Sequence, residues 1–280
     1  MKQITLEELL EAGCHFGHQV TRSNPKARDF VFEARDNIQI IDLAKTKEGL
    51  DEAGEFARTL GQNGGSLLVV GTKRQAREII QQEVARVKDL LKETNKVHNN
   101  SLYYITQRWI GGILTNFSEV SKNFKKLQDL KEKTTNPEEK SKYTKKELGL
   151  FEKEIQRLES FYSGISEMKD KPQALFIIDS RMENLAVREA ANMDVKTIAI
   201  VDTNADPFLI DHPIPANDDA VGSIKLIVSH ILDAWVEGVK AQKVPKEEKP
   251  KEEKKEDKKE TATKDKEKPA AKEKKESKKK

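Results

Sequence analysis

Cys14, His15 and His18 are the first residues in the chain whose side chains ligate metals at short spacing. A structural zinc needs about four such ligands. No second Cys or His cluster completes the set, and the spacing matches none of the usual zinc pairs. The expectation is no metal and no cofactor, with His15 and His18 packed and hydrogen-bonded in a turn. Gly71-Thr72-Lys73-Arg74 follows an apolar run and precedes an amphipathic one. Free N–H groups at a helix start, with Lys73 and Arg74 beside them, suit a phosphate. The Gly-x4-Gly-Lys-Ser/Thr loop is absent, as is a Gly-x-Gly-x-x-Gly turn, so a helix start that meets a nucleic-acid phosphate, or no ligand at all, is favoured over a mononucleotide site. Asp179 and Asp202 each close an apolar run. At the carboxyl edge of a sheet they would be placed as paired catalytic carboxylates. Aspartates also commonly close strands and cap helices there, and no activated nucleophile, base or metal set accompanies them.

A second constellation is cationic. Arg22, Lys26, Arg28 and Arg35 fall within a short stretch, Arg108 and Trp109 stand together, and Lys122, Lys125 and Lys126 follow. Guanidinium and ammonium groups pair with phosphates, and an indole stacks on a base or ribose. Taken singly, each cation is a solvated surface charge and Trp109 is core.

Net charge limits how such groups act. The chain carries 51 Lys and Arg against 48 Asp and Glu, a formal +3. The tail Lys243–Lys280 holds 17 Lys and 11 acidic residues, which leaves 34 basic and 37 acidic for residues 1–242, a net −3. A body of that sign grips a polyanion through local patches and not through its total charge. The single cysteine excludes an internal disulfide and fits a reducing compartment. No basic-then-apolar leader opens the sequence, and no apolar run approaches the roughly 20 residues of a membrane span. A soluble cytoplasmic protein with no membrane partner is expected.

These groups need elements to hold them. The spacing predicts a short helix over Thr5–Ala12, then a turn at Cys14–His18 carrying Gly13 and Gly17. Phe30–Phe32 and Ile38–Ile41, split by Arg35-Asp36-Asn37, predict a β-hairpin, because Asp and Asn tolerate positive φ in a tight turn. Leu43, Leu50, Ala53, Ala57 and Leu60 recur at helical spacing, as do Ala76, Ile80, Val84, Val87 and Leu91. Leu67–Val70, Leu102–Ile105, Ala174–Ile178 and Thr197–Val201 are short apolar runs of the kind that sheets cover on both faces. A helix is predicted over Glu183–Asn192, an extended piece at Pro213–Pro215, and a last helix capped by Asn217-Asp218-Asp219. Strand and helix alternate, which predicts an α/β fold with a mainly parallel sheet and helices on both faces. Arg108–Phe117 is a junction: a cation and an aromatic, Gly111-Gly112, then Asn116 and Glu119 in a capping-box pattern. Beyond it, Phe117, Val120, Phe124 and Leu127, then Leu148, Phe151, Ile155, Leu158, Tyr162 and Ile165, step by three and four. That seam on two arms joined at Asn136-Pro137 predicts an antiparallel coiled-coil hairpin with most of its surface wet. Organisation then reads as 1–114 and 169–242 for the α/β body, 115–168 for the hairpin, and 243–280 for a Lys/Glu-rich tail too poor in apolar side chains to fold.

Several motifs together resemble one family. They are Gly17-His18-Gln19, Asn24-Pro25-Lys26, Ile38–Leu43, Gly71-Thr72-Lys73, Arg108–Asn116 (Arg-Trp-Ile-Gly-Gly-Ile-Leu-Thr-Asn), Ala174–Asp179 and Ile200–Asp219. From about Thr5 to Gln242 the chain resembles the bacterial form of small-ribosomal-subunit protein two, the universal second protein of that subunit. The resemblance implies a three-layer flavodoxin-like body with an inserted coiled-coil hairpin. It implies a structural, non-enzymatic role in translation on the ribosome: binding 16S-type small-subunit ribosomal RNA and docking neighbouring small-subunit proteins. Among these is the large first protein, which captures messenger RNA. RNA contacts carry over to His18, Arg22, Lys26, Arg28 and Arg35, to Lys73 and Arg74, to Arg108, Trp109, Thr115 and Asn116, and to Lys122, Lys125 and Lys126. The rival expectation is a small-molecule or nucleotide-binding α/β enzyme at the Asp179/Asp202 edge. The chain departs from the family pattern at Ser23, where a large aromatic is usual, and at Met168–Lys171, which lacks the usual glycines. Its Val87–Asn100 segment is longer than usual, and Lys243–Lys280 extends past the family core.

Overall fold

A computed structural model describes residues 3–93 and 101–242. The expectations for the tail 243–280 and for the second half of the extension at 87–100 lie outside the described residues. Strands β4 (Leu67–Val70), β5 (Leu102–Ile105), β6 (Ala174–Ile178), β7 (Lys196–Val201) and β8 (His212–Pro215) form one parallel sheet in the order β5-β4-β6-β7-β8. Counted within the sheet, that order is 2-1-3-4-5, the flavodoxin-like arrangement, with its switch point between β4 and β6. The prolines explain why β8 is an edge. Pro213 and Pro215 have no N–H to give on their side of the strand, while the intervening Ile214 lies opposite Ile200 of β7.

Alternation along each strand builds two cores. Leu67, Val69, Phe176, Ile178, Ile198 and Ile200 face helices α2 (Leu43–Gln62), α3 (Arg74–Glu93) and α8 (Val221–Ala241). Leu68, Val70, Tyr103, Ile105, Leu175 and Ile177 face the other layer, where Trp109, Ile113 and Leu114 of the junction pack with α7 (Asn184–Asn192). Every residue of β4 and β6 is buried, as runs covered on both faces require.

Helices α2 and α8 cross with their backbones almost touching at Gly61 and Gly238. A Cβ on Gly238 would lie against the Arg58 carbonyl oxygen, and one on Gly61 against that of Trp235. Backbone cannot swing aside as a side-chain tip does. Gly238→Ala is therefore expected to cost about 1–3 kcal/mol, read as a lower urea midpoint.

The connection from β5 to β6 carries the junction and a helical hairpin, α4 (Phe117–Thr135), the short α5 (Pro137–Lys140) and α6 (Lys145–Tyr162). Val120, Phe124, Leu127 and Leu130 are buried on the first arm, and Leu158 and Tyr162 on the second. Phe124 and Tyr162 meet edge to face at 5.5 Å, and Asn123 donates to the Tyr162 hydroxyl at 3.1 Å. Phe151 and Ile155, further along α6, are only partly buried. The predicted stepping thus stays buried along α4 as far as Leu130 and thins on α6 ahead of Leu158.

The Asn116/Glu119 capping box does not form. Asn116 sits at φ −136° and ψ 49°, and its side chain accepts from the Ser118 hydroxyl at 3.4 Å and from no backbone N–H of the helix, since it lies outside the extended region from which a cap reaches the N3 amide. Glu119 pairs with Lys122 at 2.7 Å instead. Capping boxes form at Thr5/Glu8 and Thr144/Glu147. Asn217 closes the turn ahead of α8 by accepting from the Asp219 and Ala220 N–H groups, so the last helix starts one turn later than predicted.

The predicted hairpin is present as β2 (Val31–Arg35) and β3 (Ile38–Ile41), and Asp36 and Asn37 take φ of 49° and 64° between them. The predicted Cys14–His18 turn is in part a strand. β1 (Phe16–Gln19), which follows helix α1 (Leu6–Glu11), pairs antiparallel with β3 and makes a small sheet of order β1-β3-β2.

Candidate nucleic-acid interface

The switch point is where an α/β sheet of this order opens a crevice at its carboxyl edge. Gly71-Thr72-Lys73 leaves β4 there, and Asp179, at φ 67°, leaves β6. Asp202 ends β7, adjacent to β6 as predicted. The crevice is closed from within. The Lys73 ammonium lies 2.7 Å from Asp218, 2.6 Å from Asp219 and 3.2 Å from Asp179. His18 stands 3.1 Å from Asp202 and 3.5 Å from Asp219. Burial, then the charges of Asp179 and Asp202, push the Asp218 carboxyl up to about 7 against the pull of Lys73. The bond to Asp202 raises His18.

Three carboxylates around one ammonium leave no room for a phosphate. Lys73, expected to meet one, is committed to internal pairs. Among the described residues, His18, Asp218 and Asp219 are the His, Cys, Asp or Glu groups close enough to share a cation, and Lys73 already supplies a cation to both aspartates. Cys14 and His15 lie outside that set: the Cys14 thiol is buried, and His15 packs on Phe16 at 4.0 Å.

The junction is organised by a residue that sequence reasoning passed over. Glu189 on α7 is buried. Its carboxylate accepts from the Trp109 indole N–H at 3.1 Å, the Gly112 N–H at 2.9 Å, the Leu114 N–H at 3.2 Å and the Thr115 hydroxyl at 3.4 Å. Gly112 takes φ 98°, which turns its amide toward that carboxylate without a Cβ penalty. Trp109 is 5% exposed, so its ring is core and cannot stack on a base; it positions its neighbour Arg108. Glu183, which accepts from the Thr72 N–H and hydroxyl, ties the β4 turn to the start of α7 in the same way. The available signal for Glu189 was an acid on the helical face shared by Ala186 and Ala190; charged residues rarely occupy such faces unless they are paired.

The remaining cations divide into paired and free. Lys26 pairs with Asp206, Lys122 with Glu119, and Lys126 with Glu154. Arg22, Arg28, Arg35, Arg74, Arg108 and Lys125 are exposed, and their side chains are unpaired among the described residues. Asn116 is exposed at the start of α4. Arg108 and Lys126 converge: with Arg157 they line a cavity of about 430 Å³ between junction and hairpin, floored by Leu158, Phe161 and Tyr162. Arg22, Arg28 and Arg35 belong to the small sheet and its adjoining turns, and Arg74 opens α3.

The fold and the site define an α/β scaffold whose usual ligand crevice is filled by its own ion pairs and whose free cations stand on the small sheet and its turns, at the start of α3, on the junction and along α4. The family model described as Ribosomal protein S2 matches residues 9–238. The chain belongs to that family, and is a ribosomal protein. No helix among the described residues is long and apolar enough to cross a membrane.

Proposed function

We propose that this protein is a structural component of the small ribosomal subunit that binds its ribosomal RNA and catalyses nothing. The supporting observation is the sorting of charge: a body of net −3 keeps Arg22, Arg28, Arg35, Arg74, Arg108 and Lys125 exposed and unpaired, while Lys73 is consumed internally. Free guanidinium groups pair bidentately with phosphates. The carboxylates that would serve an enzyme at the strand ends are instead the counter-ions of Lys73 and His18, so nothing at that edge favours a nucleotide-binding enzyme. In this reading Lys122, Lys126, Thr115 and Asn116 lie beside the contact at the foot of the hairpin. Docking of neighbouring subunit proteins, including the messenger-RNA-capturing first protein, and residence in the cytoplasm on the ribosome are part of the same proposal.

Phosphate contacts release counter-ions, so affinity for small-subunit ribosomal RNA is expected to fall steeply and linearly with log salt. Arg108→Ala is expected to weaken binding severalfold and to reduce the magnitude of the salt slope by about one, the signature of a single lost phosphate contact. A flat salt dependence of the unaltered protein defeats the proposal.

A further inference from the structure

We propose that a pocket at the carboxyl ends of β6 and β7 takes one unpaired nucleobase. The pocket encloses about 210 Å³. Val187, Ala205, Leu209 and Ile210 form apolar walls, which suit the flat faces of a base. Polar groups stand among them with nothing to bond. Ser180 is 5% exposed, and its Oγ has no hydrogen-bond partner among the described residues; the buried Oδ1 of Asn204 has none either. Buried polar atoms are nearly always paired, so two orphans on residues that line one cavity point to a ligand that completes them once either side chain turns toward it.

The donor and acceptor pattern selects the ligand. The Asn204 amide oxygen accepts, and the Ser180 hydroxyl both donates and accepts. Asp206, also on the wall, brings a carboxylate. A phosphate inside the pocket would meet an acceptor and a negative charge. A base brings exocyclic or ring N–H donors with acceptors beside them and no net charge. Phosphates of the same strand have their own partners at the rim: Arg181 lines the pocket, and Lys26 is 56% exposed while pairing with Asp206. The side chains of Asn24 and Asn184 complete the lining with further amide groups. The segment Asp202–Pro207 thereby gains a role: Asp202 holds His18, Asp206 holds Lys26, and Asn204 is left free to read a base.

This assignment rests on the RNA-binding reading given above, and the experiment separates the two. Affinity of the full-length protein for small-subunit ribosomal RNA is measured against salt for the unaltered protein, Asn204→Leu and Ser180→Ala. Thermal melts confirm that each variant is folded. In parallel, adenosine, guanosine, cytidine and uridine are titrated while the side-chain amide resonances of Asn24, Asn184 and Asn204 are followed by NMR. Asn204→Leu, which fills the pocket with hydrocarbon, is expected to weaken RNA binding about tenfold, within the range for a lost base contact. Its salt slope should be unchanged, because no phosphate contact is removed. Ser180→Ala should weaken binding in the same direction by a smaller factor, and it carries the test if Asn204→Leu does not fold. Steep, salt-dependent RNA binding that neither variant alters, with amide resonances unmoved by every nucleoside, means that the pocket holds water only and overturns the inference while leaving RNA binding intact. Amide shifts with a nucleoside and no effect on RNA binding assign the pocket to a free nucleoside. An unaltered protein that binds no RNA defeats the broader reading, and the nucleoside titration alone then decides the pocket.

Discussion

Lys73→Ala is expected to destabilise the protein by about 3–5 kcal/mol, the cost of stranding buried carboxylates without their cation. Asp218 is fully buried, and Asp179 and Asp219 share the same ammonium. The loss should grow with pH. Unfolded, Asp218 titrates near its ordinary value of 3.8; folded, it titrates near 7. Between those values the native state holds the extra proton, so stability from this group is fully present below about pH 4 and is lost as pH rises through 7. His18, raised by its bond to Asp202, works in the same direction, since its contribution fades as the imidazole loses its proton. Without Lys73 nothing offsets the ionised Asp218, so urea midpoints should separate further from the unaltered protein at pH 8 than at pH 5. Adding Asp218→Asn to the variant should recover part of the loss at pH 8 and little at pH 5. A deficit that is the same at both values would mean that the cluster is not coupled as described.

Glu189→Ala is the other large effect, expected at about 3 kcal/mol or more, because each donor left unsatisfied in the interior costs about 1–3 kcal/mol. It removes the acceptor from the Trp109 indole, the Gly112 and Leu114 amides and the Thr115 hydroxyl together. Glu189→Gln keeps the size but turns an amide N–H toward some of those donors, so it should recover only part of the stability. Two readouts separate this residue from an ordinary core position. Hydrogen exchange at the Gly112 and Leu114 amides should accelerate in Glu189→Ala even where the global fold holds. RNA affinity in folded protein should also fall, because the loop that presents Arg108 loses its anchor. Unchanged protection at those two amides would show that Glu189 does not organise the junction.

The sequence by itself determined most of what depends on short spacing, the Asn116/Glu119 cap excepted. Period-two and period-3.6 patterns located the central strands, the long helices and both arms of the hairpin, because burial on one face of an element imposes its period directly on the chain. The β2–β3 turn was legible because Asp36 and Asn37 tolerate the positive φ it needs. The motif blocks identified the family, since several matched segments far apart in the chain do not arise from local physics. Only the tertiary structure decided the rest. Phe16–Gln19 is a strand because β3 lies beside it, and its own residues show no clean alternation. Lys73, Trp109 and Arg108 look alike as members of a basic and aromatic set. Asp218 stands 145 residues from Lys73 and Glu189 stands 80 from Trp109, and those partners bury the first two while Arg108 stays free. Whether a charge is a contact or a counter-ion depends on what folding brings within about 4 Å of it, and no spacing along the chain records that.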